Sequence, residues 1–142
     1  MQTIISLIAA EIEKNNYHLF AEVGYKDAEL RLLIDTGASK SVLDSNKVQQ
    51  YISREKLKKQ HTQSVGLGAI QGETETGSLY NLRFGKAVIR RLDVAVLDLV
   101  YVNQTYKVLG FPEIDGVLGS DFLMKYKAVI NYEKLVLKIR VG

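Results

Sequence analysis

The chain has 142 residues, of which 46% are hydrophobic, with a formal net charge of +3 and no cysteine. That length suits a single domain spanning residues 1–142, able to bury roughly two thirds of its unfolded surface; the lack of cysteine excludes disulfides and thiolate metal sites and suits a reducing compartment, so a cytoplasmic protein is expected. The apolar stretches fall well short of the roughly 18 residues of a membrane-spanning helix, and the charge lacks the large excess and interleaved aromatics of a nucleic-acid binder.

Along the chain, most segments read as short strands. Met1 to Ala10 is apolar with no basic residue before it, which points to an early strand rather than a signal peptide. Tyr17 to Val23 and Ala28 to Ile34, joined by Gly24-Tyr25-Lys26-Asp27, read as a hairpin. From Asp44-Ser45-Asn46, which offer N-caps, to about Gln60 runs the one longer helical pattern, with Val48, Tyr51, Ile52 and Leu57 at helical spacing. Arg54-Glu55-Lys56-Leu57-Lys58-Lys59 then reads as the solvated face of that helix in preference to a phosphate-binding patch. His61 to Val65, a glycine-rich passage, Ser78 to Phe84, Val88 to Leu99 and Tyr101 to Val108 continue the strand-like series. The end repeats it, with Ala128 to Asn131, a turn at Tyr132-Glu133-Lys134, and Leu135 to Val141. Eleven glycines and one proline punctuating short apolar runs indicate an all-β domain with little helix.

The chemistry is expected in Leu32-Leu33-Ile34-Asp35-Thr36-Gly37-Ala38-Ser39. Large aliphatics run into a carboxyl, which predicts Asp35 at the end of a buried strand, an environment that disfavours a carboxylate's charge. Gly37 lets the backbone turn sharply and brings main-chain N–H groups near that carboxylate. An ordinary turn would also end a strand in Asp-Thr-Gly. A second stretch, Glu113 to Leu123, reads as a short apolar strand, a glycine, and Ser120 or Asp121 capping a brief helix near 120–126. Gly119 would allow close approach to the loop bearing Asp35. Alone, this too would be a plain strand–turn–helix.

In this order and spacing the two stretches resemble the retropepsin-like aspartic peptidases, the single-domain family of retroviral and retrotransposon proteases with bacterial and ubiquitin-shuttle relatives. The likeness covers about 17–139 and is carried by Leu33-Ile34-Asp35-Thr36-Gly37-Ala38 and Val117-Leu118-Gly119. Asp121-Phe122-Leu123 and the closing hairpin look most like the non-viral branch. The resemblance implies a closed, barrel-like acid-protease half with a flap hairpin, here matched to Val65–Gly77. It implies Asp35, Thr36 and Gly37 as catalytic positions. Ala38 and Gly66, Leu67, Gly68, Ala69 and Ile70 would line the substrate, with Val117, Leu118 and Gly119 as the supporting motif.

Peptidases of this kind need two carboxyls around one water. The chain has one Asp-Thr-Gly, so the resemblance implies a homodimer acting on an extended polypeptide, with Thr36 bonding across the two-fold axis. Alanine at position 38 cannot donate the hydrogen bond that a serine would, so a less acid activity range is expected than in a Ser-bearing relative. The alternative is a catalytically silent peptide-binding or dimerisation module. No cofactor or metal is expected: His18 and His61 lie far apart without supporting ligands, and His18 reads as a strand residue. Gly66-Leu67-Gly68 begins like a dinucleotide fingerprint, but Gln71 replaces its third glycine.

Overall fold

Alternation of large aliphatics with polar residues makes the first 34 residues a three-stranded meander. In the computed structural model, which describes residues 1–62 and 72–142, β1 (Gln2–Glu13), β2 (Asn16–Tyr25) and β3 (Ala28–Ile34) pair antiparallel in sequence. Asn15 and Lys26 take positive φ at the two turns, at 63° and 52°. The expected hairpin and early strand are both present.

The later strands fold around this meander. β4 (Val42–Asp44), β5 (Lys58–Thr62), β6 (Gly72–Phe84), β7 (Ala87–Leu97), β8 (Gly116–Leu118), β9 (Val129–Asn131) and β10 (Val136–Arg140) complete a sheet ordered β5-β6-β7-β4-β8-β3-β2-β1-β10-β9. One further pairing, Gly24 with Arg83, joins β2 to β6 and closes six strands into a barrel. The fold is therefore all-β and barrel-like, as expected. Inside lies an apolar core from Leu19, Val23, Leu30, Leu43, Leu82 and Leu118 among others, with Phe84 stacked on Phe122 at 4.9 Å. A smaller cluster of Ala10, Phe20, Tyr106 and Ile114 covers the other face of β3. A strand covered on both faces can carry a near-continuous aliphatic run, and Leu30 to Ile34 does so.

Two expectations are corrected. The helix expected near 45–60 is instead two single 3-10 turns, Val48–Gln50 and Arg54–Lys56, followed by β5. Val48 and Ile52 do enter the core, which produced the helical spacing. The N-cap candidates are otherwise engaged, because Asp44 Oδ1 accepts the N–H of Asn46 (3.1 Å) and that of Leu99 (3.1 Å). From Lys58 onward, pairing with β6 overrides local helix propensity. Conversely, Tyr101–Val108 lies within the longest helix of the described residues, α1 (Val100–Val108). Its valines and threonine mimic a strand. Asp98 Oδ1 accepts the Val100 N–H at 2.9 Å and starts the helix, and Asn103 and Tyr106, three apart, form its buried face. A second helix, α2 (Ser120–Lys125), stands where the brief helix was expected. No helix among the described residues is long and apolar enough to cross a membrane.

Candidate active site

β3 and β8 run parallel side by side, pairing Leu32 with Gly116, Leu33 with Val117 and Ile34 with Leu118. The two sequence motifs therefore meet as neighbouring strands. The ladder continues one step, since the Asp35 N–H donates to Leu118 O at 3.0 Å. Beyond it the chain turns: the Ala38 N–H donates to Asp35 O (3.2 Å), and the Gly37 N–H donates to Asp35 Oδ1 (3.0 Å). The carboxylate is thus oriented by its own loop. The expected contact between Gly37 and the carboxyl is present within one chain.

The far end of the loop is clamped to the start of α2. Ala38 O accepts the Ser120 N–H at 2.7 Å, and the Gly119 N–H donates to Ser41 Oγ at 3.0 Å. Ser41 in turn donates its N–H to Asp121 Oδ2 (3.0 Å) and its hydroxyl to Asp121 Oδ1 (2.8 Å). A Cβ at position 119 would lie 2.7 Å from Ala38 O and 3.0 Å from the Lys40 carbonyl. Only glycine fits between these backbones. Gly116 is tighter still, because its Cβ would collide with Val42 O on the neighbouring strand. The helix begins at Gly119 without a side-chain cap, so the capping expected of Ser120 or Asp121 gives way to a bond from Asp121 across to Ser41.

Asp35, Thr36 and Gly37 are exposed, Ala38 and Val117 half-buried, and Leu118 and Gly119 buried. The buried carboxyl expected at position 35 is corrected by this: the strand is covered on both faces, but its end emerges at the rim, where none of the described residues covers it. Gly66, Leu67, Gly68, Ala69 and Ile70 lie outside the described residues. The strands on either side, β5 and β6, form an antiparallel pair from Lys58 opposite Thr76 to Thr62 opposite Gly72.

Beside the Asp35 tip opens a cavity of about 270 Å³, lined by Asp35, Thr36, Tyr17, His18, Ile130 and Tyr132 among others. His18 is half-buried there, its Nδ1 2.8 Å from the Tyr106 hydroxyl, with the two rings edge-on at 5.7 Å. Burial pushes the Tyr106 phenol up to about 12, opposed by Arg31 and reinforced by Asp35. The phenol therefore stays protonated throughout the neutral and acid range.

Three further polar groups, absent from the sequence reading as site elements, hold the two motif strands in place. Asp44 is fully buried and takes the Asn103 Nδ2 at 3.1 Å, while Asn103 also brackets Ile114 by donating to its carbonyl (3.0 Å) and accepting its N–H (2.7 Å). Asp115 accepts the Arg31 N–H (2.8 Å) and the Tyr51 hydroxyl (2.8 Å), whose phenol is held above its usual range by burial and then by this bond. The partners lie 59, 64 and 84 residues apart in the chain, beyond any local motif. The only available signal was a polar residue inside each apolar run. Among the described residues no group of three or more His, Cys, Asp or Glu could hold a metal ion.

A closed six-stranded barrel with an Asp-Thr-Gly loop docked on a strand–glycine–helix unit defines a retropepsin-like aspartic protease fold. The chain belongs to the aspartyl protease family, whose model matches residues 21–122, the span from β2 into α2. A comparison with curated proteins finds no match. Among solved structures, it is similar to a retropepsin-like aspartic protease from Rickettsia conorii, with 20% identity, TM-score 0.58, and coverage of 98% of this chain and 90% of the other. It is also similar to the retroviral protease-like domain of Ddi1 from Leishmania major, with 15% identity, TM-score 0.52, and coverage of 86% and 87%.

Proposed function

We propose that the protein is an aspartic endopeptidase whose active site forms from two chains, each contributing one Asp35. The observation that carries this reading is the state of Asp35 in a single chain. Its backbone is held by β8 and its carboxylate by Gly37, yet among the described residues it stands exposed at the rim. A site built to this tolerance and left half-complete calls for a two-fold partner, because a C2 axis brings the same loop from each side.

In the assembled site the two carboxyls share one proton and hold a water between them. The ionised one takes a proton from the water as its oxygen attacks the peptide carbonyl. The protonated one donates to the carbonyl oxygen. Collapse of the tetrahedral intermediate passes a proton to the departing nitrogen, and the C–N bond breaks. Thr36 bonds across the axis. Ala38 itself offers the carboxyls no hydroxyl, so a less acid activity range is expected than with serine at that position.

Digestion of a peptide library across pH tests the reading. We expect cleavage of extended peptides, inhibition by a pepstatin-like tetrahedral mimic, and no response to EDTA. Loss of activity in EDTA with recovery in zinc would contradict the two-carboxyl mechanism, and stable dimers without cleavage at any pH would leave a peptide-binding module.

A further inference from the structure

The basic run Arg54 to Lys59 has no part in the chemistry above, and it is not a helix face. Its turn and strand place Lys56 and Lys58 instead on the wall of a cavity of about 390 Å³. The same cavity is lined by Lys40, five residues along the loop from Asp35, and by Arg91 and Asp93 of β7. All four cations are exposed, and among the described residues Asp93 is the only acidic one in the lining.

The charges do not cancel. The Asp93 carboxylate is already committed, with Oδ1 taking Ser78 Oγ at 2.6 Å and Arg91 Nε at 2.7 Å. These bonds, Ser78's first, hold Asp93 below the usual carboxylate range against its partial burial, with Lys40 adding to the effect. It thus serves as Arg91's counter-ion. Lys40, Lys56 and Lys58 form no ion pair among the described residues. A second cavity, of about 230 Å³, adjoins along Lys40, Arg91 and Asp93 and adds Lys125. Its other carboxylate, Asp121, is engaged by Ser41. Like charges converging on one groove raise the local potential and draw in an anion.

The position of the groove names the anion. It runs between the Asp35 loop and the β5–β6 arm, which on the peptidase reading is where an extended substrate lies. Lys40 is five positions along the chain from Asp35, so its end of the groove lies within about five extended substrate residues of the scissile bond. We propose that Lys40, Lys56 and Lys58 form a specificity site that selects polypeptide substrates carrying acidic side chains a few residues to one side of the cleavage point. This rests on the peptidase reading for the location of the substrate, but not for the charge of the groove.

The test uses internally quenched peptides sharing one cleavable sequence, with Glu, Gln or Lys placed at each of the flanking positions in turn. The wild-type protein is compared with Lys56→Glu/Lys58→Glu, both positions being exposed and outside the Asp35 loop. At low salt we expect one flank to show a kcat/KM roughly fivefold to tenfold higher for Glu than for Gln. The preference should shrink in about 0.5 M salt and reverse toward Lys in the double variant. Equal rates for Glu and Gln peptides by an active wild type would overturn the inference and leave the peptidase reading standing. Should wild type cleave nothing, fluorescence anisotropy of the same peptides on the Asp35→Asn protein decides separately. Tighter retention of the acidic peptides, lost in the double variant, would support the groove while the peptidase reading fails. Indifference to peptide charge would overturn the groove as well.

Discussion

Asp35→Asn should reduce peptide hydrolysis by roughly 10³-fold or more, in line with the loss of a general acid–base group, while leaving the fold and any dimer intact. The shape is preserved, and the amide oxygen can still accept the Gly37 N–H that now goes to Oδ1. The ability to exchange a proton with water is lost. Since the side chain is exposed in the single chain, its replacement leaves no buried group without a partner, and thermal stability should change little. The measurement is kcat/KM of the purified variant beside its melting curve. Activity within tenfold of wild type would remove Asp35 from the chemistry.

The largest structural effect is expected at Gly116. This residue lies in β8 between β3 and β4, and an added methyl would collide with the Val42 carbonyl, with Val42 C at 3.2 Å and Leu43 Cα at 3.3 Å closing the remaining space. All three obstacles are backbone atoms in the barrel wall, so no side chain can swing aside. Gly116→Ala should force β8 away from β4 and cost about 3 kcal/mol, lowering Tm by roughly 10 °C. Because Leu33 and Ile34 pair with Val117 and Leu118, the displacement would reach Asp35, and activity should fall further than stability alone explains. Gly110→Ala is the control. Its φ is +83° but nothing lies within 4 Å, so only the backbone strain of about 1 kcal/mol is expected. Equal melting temperatures for the two variants would mean that the β8–β4 contact yields more easily than its geometry indicates.

Elements whose period is local were legible before the structure. The alternation in β2 and β3, the turn at Lys26, the closing β9–β10 hairpin and the short α2 all sit where their patterns put them. So does the meeting of the two motifs, because an aliphatic run ending in a loop and a second run ending in glycine are complementary backbones. What failed was decided by partners far along the chain. Lys58 to Thr62 became a strand because β6 was available to pair with it, and α1 became a helix despite its β-branched content because Tyr106 and Asn103 had a pocket to fill. Barrel closure depends on one bridge, Gly24 with Arg83, where Arg83 packs against a glycine that leaves it room. No local pattern encodes that contact. The clamp of Ser41 on Asp121 was invisible for the same reason, and Asp121 looked like a helix cap because caps and clamps use the same residue types. Asp35 was expected to be buried because the strand leading to it is; a strand pattern describes the strand and not the surface beyond its end.

The central claim is that one chain holds half a site. After dissociation and reassociation with increasing Asp35→Asn protein, sedimentation establishes that mixed dimers form, and hydrolysis is measured at constant wild-type plus variant concentration. A shared site predicts activity falling approximately as the square of the wild-type fraction, since a mixed dimer holds one Asp35 carboxyl where two are needed. Dilution of wild type alone should then lower activity per chain as dimers dissociate. A strictly linear loss with mixed dimers present would mean that each chain works alone, and would contradict the account.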